Sequence, residues 1–225
     1  MKIPNCIGVI MDGNRRWAEG KGLPKLEGHK KGFDLFKDFL HWAKDAQIKN
    51  VVAFAFSLEN WKRTPEEVSY LMALIRKIFL EETEAFIKEK ISIRFVGALS
   101  FFPEDMREMM KDLENKTAEF SDMHVTFAVS YGGREEIVHA VNECLKEGIS
   151  PIREEDISKH LYNNKMPDPD IIIRTSGEMR LSGFLPWQSV YSELFFTKTL
   201  WPDFSKEEFL KILEEYDLRD RRLGR

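Results

Sequence analysis

The feature that most constrains this chain is a regular alternation. Six short runs rich in β-branched and aromatic residues, CIGVIM (6–11), VVAFAF (51–56), SIRFVG (92–97), HVTFAVS (124–130), DIIIRT (170–175) and ELFFTKT (193–199), are separated by longer amphipathic stretches. The runs are nearly continuous in apolar character, as expected of strands buried on both faces. The intervening segments carry helical spacing near 29–46, 65–90, 103–120, 133–147, 154–163 and 205–216. The clearest start is Thr64-Pro65-Glu66-Glu67, an N-cap followed by proline at the first helical position, after which Val68, Leu71, Met72, Ile75 and Phe79 recur on one face. Strands alternating with helices predict an α/β fold: a six-stranded, mainly parallel sheet flanked by helices, with right-handed crossovers. At 225 residues with 43% hydrophobic content, residues 1–225 are expected to form a single domain around one substantial core.

Composition removes several classes of function. The net charge of −4 lacks the basic footprint of a nucleic-acid binder, so no nucleic-acid partner is expected and any anion must be held by local clusters. The two cysteines, Cys6 and Cys144, are too few and too far apart for a disulfide scaffold or zinc knuckle. No run approaches the ~20 apolar residues that span a bilayer, and nothing reads as a signal peptide. A soluble cytoplasmic protein is expected.

In a parallel α/β sheet, ligands bind where strands end at the carboxyl edge. The turns expected there are DGNRRW after the first strand, SLENWKR after the second, YGGRE after the fourth and RTSGEMRLS after the fifth. Gly13, Asn14, Arg15 and Arg16 offer backbone N–H groups and two guanidiniums, suited to a phosphate or diphosphate, with Lys25, His29 and Lys30 as a second cationic set. A carboxylate at Asp12 gains nothing from an anion directly. It becomes intelligible if Mg²⁺ lies between it and phosphate oxygens, since that ion typically takes one or two carboxylates plus substrate phosphates. Arg174, Arg180 and Ser182 form another anion-binding set, implying two phosphorylated ligands or two ends of one. Ala53, Phe54, Ala55, Phe56, Phe79 and Phe86 either line an apolar cleft or simply fill the core. Neither G-x-G-x-x-G nor G-x-x-x-x-G-K-[ST] is present, which removes the main support for a dinucleotide enzyme or a P-loop NTPase.

Taken together, MDGNRRWA, GHKKG, AFSLENWKR, VSYGGREEI, the long segment DIIIRTSGEMRLSGFLPWQSVYSELFFTKTLWPDF and the terminal RRLGR resemble the cis-prenyltransferases, specifically the bacterial undecaprenyl diphosphate synthases. The match covers nearly the whole chain in order. The resemblance implies successive addition of isopentenyl diphosphate to an allylic diphosphate such as farnesyl diphosphate, each step making a cis double bond, with Mg²⁺ as cofactor. It also implies an apolar tunnel, a homodimer paired through the last strand, and peripheral contact with the inner face of the plasma membrane for product release.

Carried over by position, the resemblance makes Asp12 the metal-linked catalytic residue. Gly13, Asn14, Arg15, Arg16, Trp17, Lys25 and His29 surround the allylic substrate. Ser57, Leu58, Glu59, Asn60, Trp61 and Arg63 come from the second turn, near the reacting carbons. Arg174, Arg180, Leu181 and Ser182 hold isopentenyl diphosphate, and Glu193 completes the metal site. Lys25 keeps the charge, without the bidentate fork, of an arginine found in many members. Asn60 is a neutral amide and a poor base, so it is expected to orient, with the diphosphate itself accepting the proton. Glu193 precedes the sixth strand and so falls at the opposite edge of a simple sheet, requiring a bend or a partner subunit. Two other readings stay open: a non-catalytic regulatory subunit of a heteromeric prenyltransferase, suggested by the R-x-G ending, and a phosphoester hydrolase, suggested by Asp-Gly-Asn alone.

Overall fold

The computed structural model describes residues 2–219, apart from the side chain of Phe79. All six expected strands form: β1 (Cys6–Ile10), β2 (Asn50–Ser57), β3 (Ile91–Val96), β4 (Met123–Tyr131), β5 (Ile171–Arg174) and β6 (Glu193–Phe196). They make one sheet in the order β3-β4-β2-β1-β5-β6, and every neighbouring pair is parallel. The carboxyl ends of β1, β2, β4 and β5 therefore lie along one edge, and the four polar turns are neighbours in space.

Period-two alternation divides the strand side chains between two cores. Ile7, Val9, Val51, Ala53, Ile171 and Ile173 enter the larger one. There they meet apolar residues of α2 (Lys25–Asp45), α3 (Pro65–Lys88), α4 (Glu104–Thr117) and α7 (Lys206–Leu218), among them Phe36, Phe39, Phe86, Met106 and Phe209. Each such buried side chain contributes roughly 1.5–3 kcal/mol. Cys6, Val52 and Ile172 face the other way, onto Phe184 and Leu185. Two further helices, α5 (Gly133–Lys146) and α6 (Glu154–His160), complete the long crossover to β5.

Three local details depart from the sequence expectation. Residues expected as a phosphate-binding turn instead open a short helix, α1 (Asn14–Gly20). The chain makes the bend into it at Gly13, whose φ of 110° belongs to glycine, with Leu200 packed where a Cβ would sit. Second, α2 begins at Lys25 rather than near 29, because Pro24 supplies the extended residue before the first turn. Third, β2 carries a register shift against β4 between Phe54 and Phe56. Ala55 is the extra residue, so Phe54 packs on Phe184 while Phe56 turns into the larger core.

Helices α1 and α2 approach at GHKKG. A Cβ on Gly28 would stand 1.9 Å from the Asn14 carbonyl oxygen, and one on Gly32 2.1 Å from Asn14 Oδ1. A larger residue at Gly28 would have to move the α1 backbone, and one at Gly32 would have to move α1 or rotate Asn14, so these glycines set how closely the first polar turn lies against α2.

Candidate active site

A cavity of about 310 Å³ opens at the carboxyl ends of the central strands. Its mouth is polar, with Asp12, Asn14, His29, Ser57, Asn60, Arg63, Arg174 and Ser182. Its interior is apolar, with Phe36, Phe54, Ala55, Leu71, Ile75, Phe95 and Phe127. The bulge in β2 puts three successive residues, Phe54, Ala55 and Phe56, on the wall. Ala53 and Phe86, both candidates for this lining, are core residues instead, and the side chain of Phe79 lies outside those described.

Asp12 follows β1 and faces Arg174, the last residue of β5. Arg174 Nη2 donates to Asp12 Oδ2 at 2.9 Å, and Arg16 Nη2 lies 3.6 Å from Oδ1. Burial alone would push the Asp12 carboxyl up. Hydrogen bonds from Arg174 and Ser176 and the charges of Arg174 and Arg16 outweigh it and hold the group below the usual carboxylate range. Arg174 also donates from Nη1 to the Arg180 carbonyl (2.5 Å) and to Ser182 Oγ (2.8 Å), joining the loop after β5 to the turn after β1.

A second cluster forms across α1 and α3. Arg15 and Arg63 both donate to Glu67 Oε1, at 3.2 and 2.8 Å. Beside them, His29 is pushed down to about 4, first by burial and then by the Arg63 charge, with Glu67 opposing and Arg15 adding to the shift. His29 is therefore neutral in the ligand-free cavity at physiological pH. Three buried polar atoms at the mouth, His29 Nε2, Asn14 Oδ1 and Arg174 Nε, have no hydrogen-bond partner among the described residues. Buried polar groups are normally satisfied, so three in one cavity mark a place built for a polar ligand.

Other candidate residues contribute less directly. Asn60 Oδ1 accepts from the Ser57 N–H at 3.0 Å and caps the short turn Leu58–Lys62, so its oxygen is already engaged. Trp61 donates to Ser130 Oγ and packs among Phe56, Phe101 and Phe102; Trp17 donates to Asp203. Leu58 lies against Gly132, Leu181 packs on the second core, and Glu59 is exposed. Arg180 is largely exposed and paired with Glu178. Lys25 pairs with Glu19 at the far end of α1, away from the cavity. Glu193 opens β6 opposite Ile171, three residues before Arg174, which is about 10 Å along the strand and at the other edge. Its carboxylate is 2.6 Å from Arg219 Nη1. Within one chain it does not join Asp12.

Two participants escaped the sequence reading. Trp201 lines the cavity, donates from Nε1 to the Gly32 carbonyl and binds the Asp12 carbonyl through its N–H. Glu67 holds two candidate arginines, Arg15 and Arg63, yet reads in sequence as a helix-start acid. Neither signal is separable from ordinary packing and capping without coordinates.

As for a cation, the described residues contain no cluster of three or more acids, histidines or cysteines. The site offers Asp12 alone, a donor set that fits Mg²⁺ only if substrate oxygens supply other ligands.

The family model described as "Putative undecaprenyl diphosphate synthase" matches residues 10–224. An isoprenyl transferase of Thermotoga maritima is 45% identical, covering 100% of this chain and 98% of its own length. A tritrans,polycis-undecaprenyl-diphosphate synthase (geranylgeranyl-diphosphate specific) of Thermoplasma volcanium is 44% identical, covering 99% of this chain and 89% of its own. Among solved structures, lavandulyl diphosphate synthase of Lavandula x intermedia in complex with dimethylallyl diphosphate superposes with a TM-score of 0.94 at 32% identity, covering 99% of both chains. The chain belongs to the undecaprenyl diphosphate synthase family of cis-prenyltransferases.

Proposed function

We propose that this protein adds isopentenyl diphosphate repeatedly to an allylic diphosphate with Mg²⁺ as cofactor, producing a long polyprenyl diphosphate of the undecaprenyl class that serves as a cell-wall lipid carrier. The observation that carries the reading is one cavity joining a cationic, under-satisfied mouth to an apolar interior. That pairing suits a ligand with a diphosphate head and a hydrocarbon tail.

In this reading Arg16, Arg63 and His29 receive the allylic diphosphate, while Arg174, Arg180 and Ser182 receive that of isopentenyl diphosphate. A Mg²⁺ held by Asp12 and diphosphate oxygens would supply neutralisation of the charge developing on the leaving group. Asn60, fixed through its oxygen to Ser57, orients the second substrate, and the proton lost in forming the new double bond passes to a diphosphate oxygen. The growing tail enters the cavity past Ala55 toward Leu71 and Ile75.

The edge strand β6 with its exposed Leu194, and the exposed Val190 and Tyr191 just before it, suit pairing of two copies. A partner subunit would then be the source of Glu193 for the metal site. Light scattering at micromolar concentration is expected to give a dimer. No helix among the described residues is long and apolar enough to cross a membrane, so contact with the inner face of the plasma membrane during product release would be peripheral. The R-x-G ending lies outside the described residues. A purely regulatory role is disfavoured because Asp12, Arg16 and Asn60 are all in place, a set for which a scaffold has no use.

The test is incubation of the purified chain with Mg²⁺, labelled isopentenyl diphosphate and either farnesyl or geranylgeranyl diphosphate, followed by lipid extraction and chain-length analysis. Labelled polyprenyl diphosphate is expected, and the better primer identifies the natural allylic substrate. Release of inorganic phosphate without chain growth would favour a hydrolase instead.

A further inference from the structure

Ser176 stands two residues after β5 with φ at 82°, a conformation that residues with a Cβ rarely adopt. It is buried, and its backbone is fixed on both sides: the Ser176 N–H donates to the Thr199 carbonyl and the Gly177 N–H to the Thr197 carbonyl, each at 2.7 Å. Glycine would satisfy this backbone with less strain, and the next residue, Gly177, does so at φ 80°. A serine here needs a use for its side chain.

That use is visible. Arg16 Nη2 donates to Ser176 Oγ at 2.5 Å, and Arg16 Nη1 donates to the Ser176 carbonyl at 3.2 Å. One residue thus holds both Nη atoms of the Arg16 guanidinium. The Arg16 side chain is otherwise half-exposed, and its other ion-pair partners among the described residues, Asp12 and Glu178, are looser, each at 3.6 Å. A flexible arginine held at two points is pre-organised, and less rotamer freedom is lost when an anion arrives.

We propose that Ser176 is a positioning residue, whose hydroxyl fixes Arg16 in the geometry that receives the diphosphate of the allylic substrate. The proposal rests on the reading of the site given above. Ser176 is buried and its hydroxyl is engaged by Arg16, so it acts through Arg16 rather than by touching substrate.

The test compares Ser176→Gly and Ser176→Ala. Glycine removes both the hydroxyl and the strain, whereas alanine removes only the hydroxyl. The glycine variant is expected to melt at or above the wild-type temperature and the alanine variant below it. Both are expected to raise KM for the allylic diphosphate about tenfold, the worth of one charge-assisted hydrogen bond, with KM for isopentenyl diphosphate changed less than twofold. Calorimetric titration with inorganic diphosphate, which needs no turnover, is expected to show a matching loss of affinity in both variants. If the wild type lacks transferase activity yet this affinity loss persists, the reaction assigned to the site is wrong while the role of Ser176 stands. Wild-type diphosphate affinity in both variants, equal shifts in the two Michaelis constants, or a glycine variant that loses activity only in proportion to lost stability would each overturn the proposal.

Discussion

Arg174 and Asp12 form a hydrogen-bonded ion pair, Nη2 to Oδ2 at 2.9 Å, across the ends of two adjacent parallel strands, with the arginine side chain buried. The pair couples the two candidate anion-binding sets, because the same guanidinium also holds the Arg180 carbonyl and the Ser182 hydroxyl. Arg174 therefore keeps partners when Asp12 is removed, while Asp12 loses its strongest donor when Arg174 is removed.

This asymmetry gives the first prediction. Asp12→Ala should retain its fold and lower kcat by ~10³, about 4 kcal/mol of barrier, since the carboxylate acts chiefly as charge develops on the leaving diphosphate. Affinity for farnesyl diphosphate without metal should be unchanged or tighter, because a negative charge has left a cationic mouth. Paired single-turnover and calorimetric measurements decide it; loss of rate and affinity in equal proportion would make Asp12 only a structural turn residue.

His29 supplies a pH dependence of stability. Its native value of about 4 lies below the ordinary 6.5, so between those values the unfolded chain takes up a proton that the native chain refuses. The contribution is complete above pH 6.5, is lost as pH falls toward 4, and amounts to at most about 3 kcal/mol, less to the extent that water reaches the ring. Urea unfolding of wild type and His29→Phe at pH 7, 5.5 and 4.5 should show the wild type losing more stability with acid. Parallel pH profiles would remove His29 as the cause.

Cavity shape should govern product length. Ala55→Leu places a branched side chain on the wall beside the β2 bulge and is expected to shorten the product while initial turnover stays near normal. An unchanged length distribution would mean that the growing tail does not pass this strand.

Close helix packing provides the fourth test. Gly32→Ala drives a methyl group against Asn14 Oδ1, so α1 must shift or Asn14 rotate. The expected cost is about 1–3 kcal/mol in stability, with a rise in KM for the allylic diphosphate. Gly20→Ala, at the end of α1, meets nothing within 4 Å and serves as the control; equal behaviour of the two would discount the packing argument.

What the sequence determined alone was whatever depends on local pattern: six strands, the Thr64-Pro65 helix start, and the convergence of the polar turns once the strands are taken as parallel. Asp12, Asn14, His29, Ser57, Asn60, Arg63, Arg174 and Ser182 do meet in one cavity. Tertiary structure decided the rest. Lys25 and Arg15 look alike in sequence as cations near the first turn, but one lies with Glu19 at the far end of α1 and the other faces Glu67 across to α3. Ala53 and Ala55 differ only by a bulge whose cause is the pairing with β4, and Ser176 shows its value only because residues 160 positions apart come within hydrogen-bond distance. Period and capping are written in neighbouring residues, whereas which guanidinium finds which carboxylate depends on the packing of whole elements, and no local pattern encodes that.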